Sequence, residues 1–459
     1  MTPPVLLIIP PAPYLISDRA FPPLGILYVA SDLQSRGVGV ELCDLSGLKD
    51  WRKKLRAELE SVKPDFAGVT ATSPDLPAAL AILGECRKAR PKMRVIIGGV
   101  HATICPSDCS DFDHVISGDG WGAVELAMRP DAPKFISVPP SDFDAIPFPA
   151  RHLLDMDSYH FYLEGRPAAS IMSHLGCPFS CVFCTGRNHD YFRRVRFRSA
   201  AKVLEEMDLV AQTYGRDAFV FYDDEFNLDR KHVLDICALL ETRGYVWRAP
   251  VRADLLDMEL ASAMRSSGCV EVSVGVESGS ARVLEKIGKG VTPEQNTAAR
   301  DICRRAGIRF KAFTVVGLPG ATRADEDATK NWLLDNKPDD FDIAINTPYP
   351  GTRQYNFPAD MGLSFSCDFK KDVVSYKVAP GKYKGFASNG TLSAQEMVAL
   401  RDAMDRELRR RLKIPPPGHA SSLGAVDHSK GGAAPAVARG ILRAVKKRVK
   451  SIFQPRQQE

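Results

Sequence analysis

Apolar positions along this chain switch repeatedly between short runs of strand length and longer stretches with helical spacing. Within the first 127 residues, runs at 5–9, 39–43, 66–70, 95–97 and 114–116 read as strands, and the patterns at 24–35, 51–62 and 76–88 as helices. Strands alternating with helices imply a parallel sheet covered on both faces. This is the doubly wound, Rossmann-like α/β arrangement, whose ligand site lies at the carboxyl ends of the strands. Residues 127–150 contain six prolines and little periodicity, which predicts an extended, stiff linker. A second alternating series begins at 168, with strands at 168–174, 218–222, 245–250, 270–276, 310–316 and 341–346. Its helices lie at 199–214, 232–242, 259–267, 293–306 and 323–334. Six such units predict a partial (β/α)6 barrel, open on one side, with its chemistry at the carboxyl ends of the strands.

The predicted organisation is therefore a doubly wound domain over 1–127, a Pro-rich linker over 128–160 and a barrel over 161–353. A C-terminal extension follows over 354–414, in which Tyr376, Tyr383 and Phe386 are read as caps on the open barrel and 393–413 as a charged helix. A flexible linker (415–435) leads to a basic amphipathic helix (436–453).

Composition narrows the class. The 459 residues are 44% hydrophobic and 25% charged, as in a soluble globular protein of more than one folded unit. No apolar run reaches the roughly 18 residues that span a bilayer, and the start of the chain lacks the basic residues of a signal peptide. Eleven cysteines, odd in number and scattered, do not form a secreted disulfide framework. These features imply a cytoplasmic protein. The net charge of +5 is confined to the tail, where seven Lys or Arg follow Pro435 against Glu459, leaving 54 basic and 55 acidic residues elsewhere. A neutral body argues against a nucleic-acid partner. At helical spacing Val437, Ile441, Leu442, Val445, Val449, Ile452 and Phe453 share one arc of about 160°, with Arg439, Arg443, Lys446, Lys447 and Lys450 outside it and Arg448 the exception. Such a helix suits peripheral contact with the inner face of an anionic membrane; the alternatives are a solvated helix or one docked on a neighbouring domain.

The strand ends carry the candidate chemistry. In the first series they are Leu24 and Gly25, Thr70 and Ser73, Gly98 and Gly99, and Gly118 and Gly120, where glycines admit close backbone approach and hydroxyls supply hydrogen bonds without bulk. After the first strand of the second series come Cys177, Cys181 and Cys184, with Phe183 before the third cysteine. Three thiolates this close suit a soft metal centre. No fourth cysteine follows nearby, so a cubane iron–sulfur cluster held by these three keeps one iron open to a further ligand. A structural zinc knuckle or three unrelated buried thiols are the plain alternatives. Cys105 and Cys109 repeat the C-x3-C spacing without a third thiol and read as ordinary loop cysteines. Later strands end in Asp223-Asp224-Glu225, Arg252, Gly275-Val276-Glu277-Ser278 and Val316-Gly317. The acidic triplet is also compatible with magnesium or with a solvated loop.

The cysteine loop, taken with these motifs in their order, resembles the radical S-adenosylmethionine (SAM) enzymes, and the preceding domain resembles the cobalamin-binding (B12-binding) domain of a large branch of that family. The resemblance covers about residues 5–352. It implies a [4Fe-4S] cluster on Cys177, Cys181 and Cys184, SAM on the open iron, and SAM contacts from Phe183, Asp223, Asp224, Arg252, Glu277, Ser278, Val316 and Gly317. It implies cobalamin held by Leu24, Gly25, Thr70, Ser73, Gly98, Gly99, Gly118 and Gly120. The D-x-H-x-x-G motif of the wider cobalamin-binding fold is absent, and neither His101 nor His114 is spaced to replace its histidine, so the lower face of the cobalt is expected to lack a histidine ligand. The implied activity is methyl transfer to an unactivated carbon, with reduced flavodoxin or ferredoxin as electron donor and a small-molecule or lipid-like substrate. The rivals are a radical cyclase or rearrangement enzyme on the same architecture and a non-catalytic cobalamin sensor or carrier.

Overall fold

The computed structural model describes residues 4–15, 17–184, 189–372 and 385–416. Six parallel strands build the first sheet: β1 (Val5–Ile9), β2 (Val40–Asp44), β3 (Phe66–Thr70), β4 (Arg94–Gly98), β5 (His114–Gly118) and β6 (Phe135–Val138), in the order β2-β1-β3-β4-β5-β6. Successive side chains of a strand point to opposite faces, and here both faces are buried, which explains the unbroken apolar runs. Leu6 and Ile8 of β1 meet Leu55, Leu59 and Ile82 from helices Trp51–Val62 and Leu76–Ala89. Val5, Leu7 and Ile9 meet Leu27, Ala30 and Val124 from helices Leu24–Ser35 and Ala123–Ala127 on the other side.

β6 falls inside the stretch read from sequence as a linker. It pairs with β5 from Val115↔Phe135 to Gly118↔Val138. Being an edge strand closed by Pro139 and Pro140, it buries Ile136 alone and leaves Phe135 exposed, so it carries no period to detect.

The second sheet holds β7 (Arg166–Ile171), β8 (Ala218–Phe221), β9 (Val246–Val251), β10 (Cys269–Glu277), β11 (Arg309–Val316) and β12 (Asp340–Ile345), parallel and in chain order, with Tyr162–Leu163 added antiparallel outside β7. Helices Ala200–Tyr214, Arg230–Leu240, Met258–Ser266, Pro293–Ala306 and Arg323–Asn336 form its outer layer and share one core with the strands. Their starts are fixed locally: Thr292 with Gln295 and Thr322 with Asp325 form reciprocal capping boxes.

The charged helix Ala394–Leu412 joins this same layer. Met397, Leu400, Met404 and Leu408 enter the barrel core, while Arg401 and Arg409 donate to the carbonyls of Ile343 (3.0 Å) and Phe341 (2.9 Å) on the edge strand β12. Of the aromatic residues read as barrel caps, Phe386 packs against Phe369, with ring centroids 6.5 Å apart. Tyr376, Tyr383 and the basic amphipathic segment lie outside the described residues.

A buried ionic network joins the two sheets. Glu206 binds Arg151 (2.6 Å) through one oxygen and Arg198 (2.5 Å) through the other, and Arg198 also reaches the Tyr28 hydroxyl (3.2 Å) on the first domain's leading helix.

Candidate functional site

The cysteine loop leaves the carboxyl end of β7 and is held on two sides. Leu175 pairs with Arg196 in a short antiparallel ladder, and the Cys177 N–H donates to the Phe192 carbonyl (3.1 Å). Gly176 has φ +88°, and a Cβ there would stand 2.3 Å from the Arg194 carbonyl oxygen, so only glycine fits. On the other side the Val182 N–H donates to the Ile287 carbonyl (3.0 Å), and Phe183 packs among Val182, Val283, Leu284 and Leu318. Cys177 and Cys181 are buried and Cys184 half-buried, with no disulfide among the described residues. Burial pushes the Cys181 thiol up, an effect that the Lys289 ammonium opposes. Cys105 and Cys109 are a different environment: burial pushes their thiols up to about 11 and about 12, and Cys109 is part of the first domain's core.

Beneath the loop, the ends of β8, β9 and β10 assemble a charged cluster. Glu277 has φ +61°, an uncommon conformation for a side-chain-bearing residue, at the point where the β10–β11 register slips. Its carboxylate binds Lys289 (3.0 Å), and the pair folds back over Gly275, where a Cβ would lie 2.3 Å from Glu277 Oε1 and 2.8 Å from Lys289 Nζ. Burial alone would lower the Lys289 pKa, but Glu277 and Glu225 outweigh it and hold the ammonium charged. Burial likewise pushes the Glu225 carboxyl up, against the pull of Lys289 and Arg252. Arg252 donates to the Lys289 carbonyl (2.6 Å), pairs with Asp254 (2.7 Å) and lies 3.7 Å over the Phe179 ring of the cysteine loop.

The expected SAM contacts are thus divided. Arg252 and Glu277 stand in the charged cluster, and Asp224 is exposed. Asp223 is buried and spent on structure, accepting from the Ser173 N–H (2.7 Å), the Ser173 hydroxyl (2.5 Å) and the His174 N–H (3.2 Å). Ser278 turns towards Thr329 (3.1 Å). The Val316 carbonyl accepts from the Asn346 N–H (2.8 Å), and Gly317 (φ +82°) donates to Glu326 (2.8 Å) beneath Met397, whose sulfur would lie 2.3 Å from a Cβ at that position. Burial raises the Glu326 carboxyl to about 7.

In the first domain, Gly25, Thr70, Gly98, Gly99, Gly118 and Gly120 line one cavity of about 170 Å³ at the strand ends, with Tyr191 and Phe192 from beyond the cysteine loop closing it. Side chains at Gly99 and Gly118 would collide with the Ala71 carbonyl (2.8 Å) and the Val138 carbonyl (2.1 Å), so bare backbone is obligatory there. Leu24 and Ser73 do not line this cavity. Leu24 belongs to the core, and Ser73 bonds the fully buried His101 (2.9 Å). His114 bonds the Pro133 carbonyl (2.9 Å), so both histidines serve the domain's own packing.

Sequence reading named Glu225 only within the acidic triplet and did not single out Lys289, Asp119 or Tyr191, which the structure places beside these residues. Lys289 stands between two glycines with no periodicity to mark it; its signal was the pair of positive-φ glycines, Gly288 and Gly290, which bring the backbone under the cysteine loop.

These features fit the implied groups. Thiols spread along one loop suit a cluster, whose ligands bind separate irons. The charged cluster beside Cys181 offers both signs to an amino-acid moiety, and the glycine-walled cavity of about 170 Å³ offers bare backbone to one part of a cofactor too large to enter it whole.

Comparison with known proteins agrees. Residues 171–333 match the Radical SAM superfamily and residues 18–127 the B12 binding domain. An uncharacterized methyltransferase of Pyrococcus horikoshii is 29% identical over 397 residues, covering 80% of this chain and 85% of that protein. The anaerobic magnesium-protoporphyrin IX monomethyl ester cyclase of Rubrivivax gelatinosus is 26% identical, over 72% of this chain and 65% of the cyclase. The structure of the radical SAM methyltransferase TsrM from Kitasatospora setae superposes with a TM-score of 0.69 at 19% identity, over 88% of this chain and 89% of that one, and so shares its fold. The chain is thus an enzyme built from a B12 binding domain followed by a Radical SAM superfamily domain, two domains that go with cobalamin, a [4Fe-4S] cluster and SAM as cofactors.

Proposed function

We propose that this enzyme transfers a methyl group to an unactivated carbon of a small-molecule or lipid-like substrate. The observation that carries the reading is the pairing of the cysteine loop with a separate glycine-walled cavity, closed by Tyr191 and Phe192 from the cluster-bearing half. When bound, the cluster with SAM supplies hydrogen-atom abstraction and the cobalamin supplies a transferable methyl group. In this reading Cys177, Cys181 and Cys184 hold the cluster. Glu277 and Glu225 receive the ammonium of SAM, while Lys289 and Arg252 balance their charge and orient its carboxylate. The first domain, over 1–127 with β6, binds cobalamin through Gly25, Thr70, Gly98, Gly99, Gly118 and Gly120, without a histidine on the lower face. A reduced flavodoxin or ferredoxin is the proposed electron donor.

The test is anaerobic incubation of reconstituted enzyme with SAM, a reductant and host extract, followed by mass spectrometry. Products heavier by one CH2 unit are expected. Products that lose hydrogen without gaining carbon would instead establish radical cyclisation, the reading favoured by the Rubrivivax relative.

Among the described residues no helix is long and apolar enough to cross a membrane. The basic segment 436–453 supports a cytoplasmic enzyme resting on an anionic membrane surface. Co-sedimentation with anionic vesicles by the full chain, but not by a chain ending at Pro417, is the expected result; equal behaviour of the two rules it out.

A further inference from the structure

The segment after the cysteine loop touches both cofactor sites. On one face it is tied to the first cluster ligand: Arg196 pairs with Leu175, the Phe192 carbonyl accepts from the Cys177 N–H (3.1 Å), and Gly176 is pressed against Arg194. On the other face it enters the strand-end cavity. Tyr191 and Phe192 are lining residues there, and Tyr191 Cε2 stands 3.3 Å from where a Gly118 Cβ would be.

The link between the faces is the Asp119 carboxylate, fully buried between two lining glycines of the first domain. It accepts from the Tyr191 hydroxyl, from Arg196 (2.7 Å), and from the N–H and hydroxyl of Ser141 (2.8 Å each). Arg196 in turn reaches the Tyr191 hydroxyl (3.1 Å). Burial and the Asp119 charge push the Tyr191 phenol upward, so it remains a donor. A buried carboxylate with all its partners in place is costly to disrupt, so this latch moves as a unit or not at all.

We propose that residues 191–196 couple the two cofactor sites: Tyr191 is a wall of the cobalamin pocket supplied by the cluster-bearing half, and the Asp119 latch makes cobalamin affinity depend on whether the cluster is built on Cys177. The proposal rests on both cofactors binding where the preceding section puts them. Because such coupling is reciprocal, bound cobalamin also slows loss of the cluster.

The experiment titrates the full-length protein with hydroxocobalamin by absorbance under anaerobic conditions, with and without the reconstituted cluster. Cluster assembly should tighten cobalamin binding by about 5-fold or more, the lower end of measured couplings. In Asp119→Asn and, independently, Arg196→Lys, that ratio should fall towards one. A chelator challenge should strip iron more slowly from cobalamin-loaded wild type, an advantage the variants lose. Equal affinities in the two wild-type states, with cobalamin bound in both, overturn the coupling while leaving the cofactor assignment intact. A ratio that survives in both variants removes the latch from it. No cobalamin binding in either state overturns the assignment and the coupling together.

Discussion

Replacing Glu206 by Gln removes the anion between two buried guanidinium groups without changing side-chain size. In the native chain each carboxylate oxygen serves its own partner, Arg151 at 2.6 Å and Arg198 at 2.5 Å, and the three side chains are between 0% and 3% exposed. Water cannot replace the lost charge, and the amide can accept through one atom only. Breaking a buried pair in this way costs about 3–5 kcal/mol, which at an unfolding entropy of about 2.1 cal/mol/K per residue lowers the midpoint of thermal unfolding of the 459-residue chain by roughly 3–5 °C. Differential scanning fluorimetry and urea unfolding of both proteins measure it. Burial would raise the Glu206 pKa, but Arg151 and Arg198 outweigh it and hold it below the ordinary value. The stabilisation is therefore complete above about pH 4.3 and is lost as pH falls through the lower native value. The gap between wild type and variant should close in acid. A loss under about 1 kcal/mol at pH 7, the size expected of a surface pair, would refute the argument, as would a gap that widens on acidification.

Three further outcomes are expected. Replacing Cys177, Cys181 and Cys184 together by Ala should abolish iron and sulfide incorporation, whereas the Cys105→Ala, Cys109→Ala double variant should keep the wild-type iron content; colorimetric iron and sulfide assays decide both. Gly176→Ala forces a Cβ to within 2.3 Å of the Arg194 carbonyl oxygen, so it should reduce cluster occupancy even though no ligand is lost, and wild-type iron content would count against the strain argument. Lys289→Gln removes one of the two cations that orient the SAM carboxylate in the proposed site and should weaken SAM binding about tenfold, or about 1.4 kcal/mol, by anaerobic equilibrium dialysis; unchanged affinity would remove Lys289 from the SAM site.

What the sequence alone determined was whatever repeats with a local period or sits at fixed spacing. The six barrel strands and the helices at Leu24–Ser35, Trp51–Val62 and Pro293–Ala306 follow from apolar spacing with local caps, because each buries one continuous stripe or two full faces. The cysteine loop was legible because its three thiols lie close in sequence. β6 was not, because an edge strand with one inward residue is recognisable only once β5 is beside it. The site residues divide in the same way. Arg252 and Glu277 could be anticipated from strand ends, but Asp223 is consumed by Ser173, fifty residues away in the chain. Lys289 acquires a role only because two glycines bend it over Gly275. Asp119 was just one more acidic residue between glycines until the tertiary structure brought Tyr191 and Arg196 to it across the domain boundary. Local periodicity specifies elements and continuous motifs. Which charges meet in a low-dielectric interior is decided by packing between elements far apart in sequence, since only burial makes those pairs strong and their absence costly.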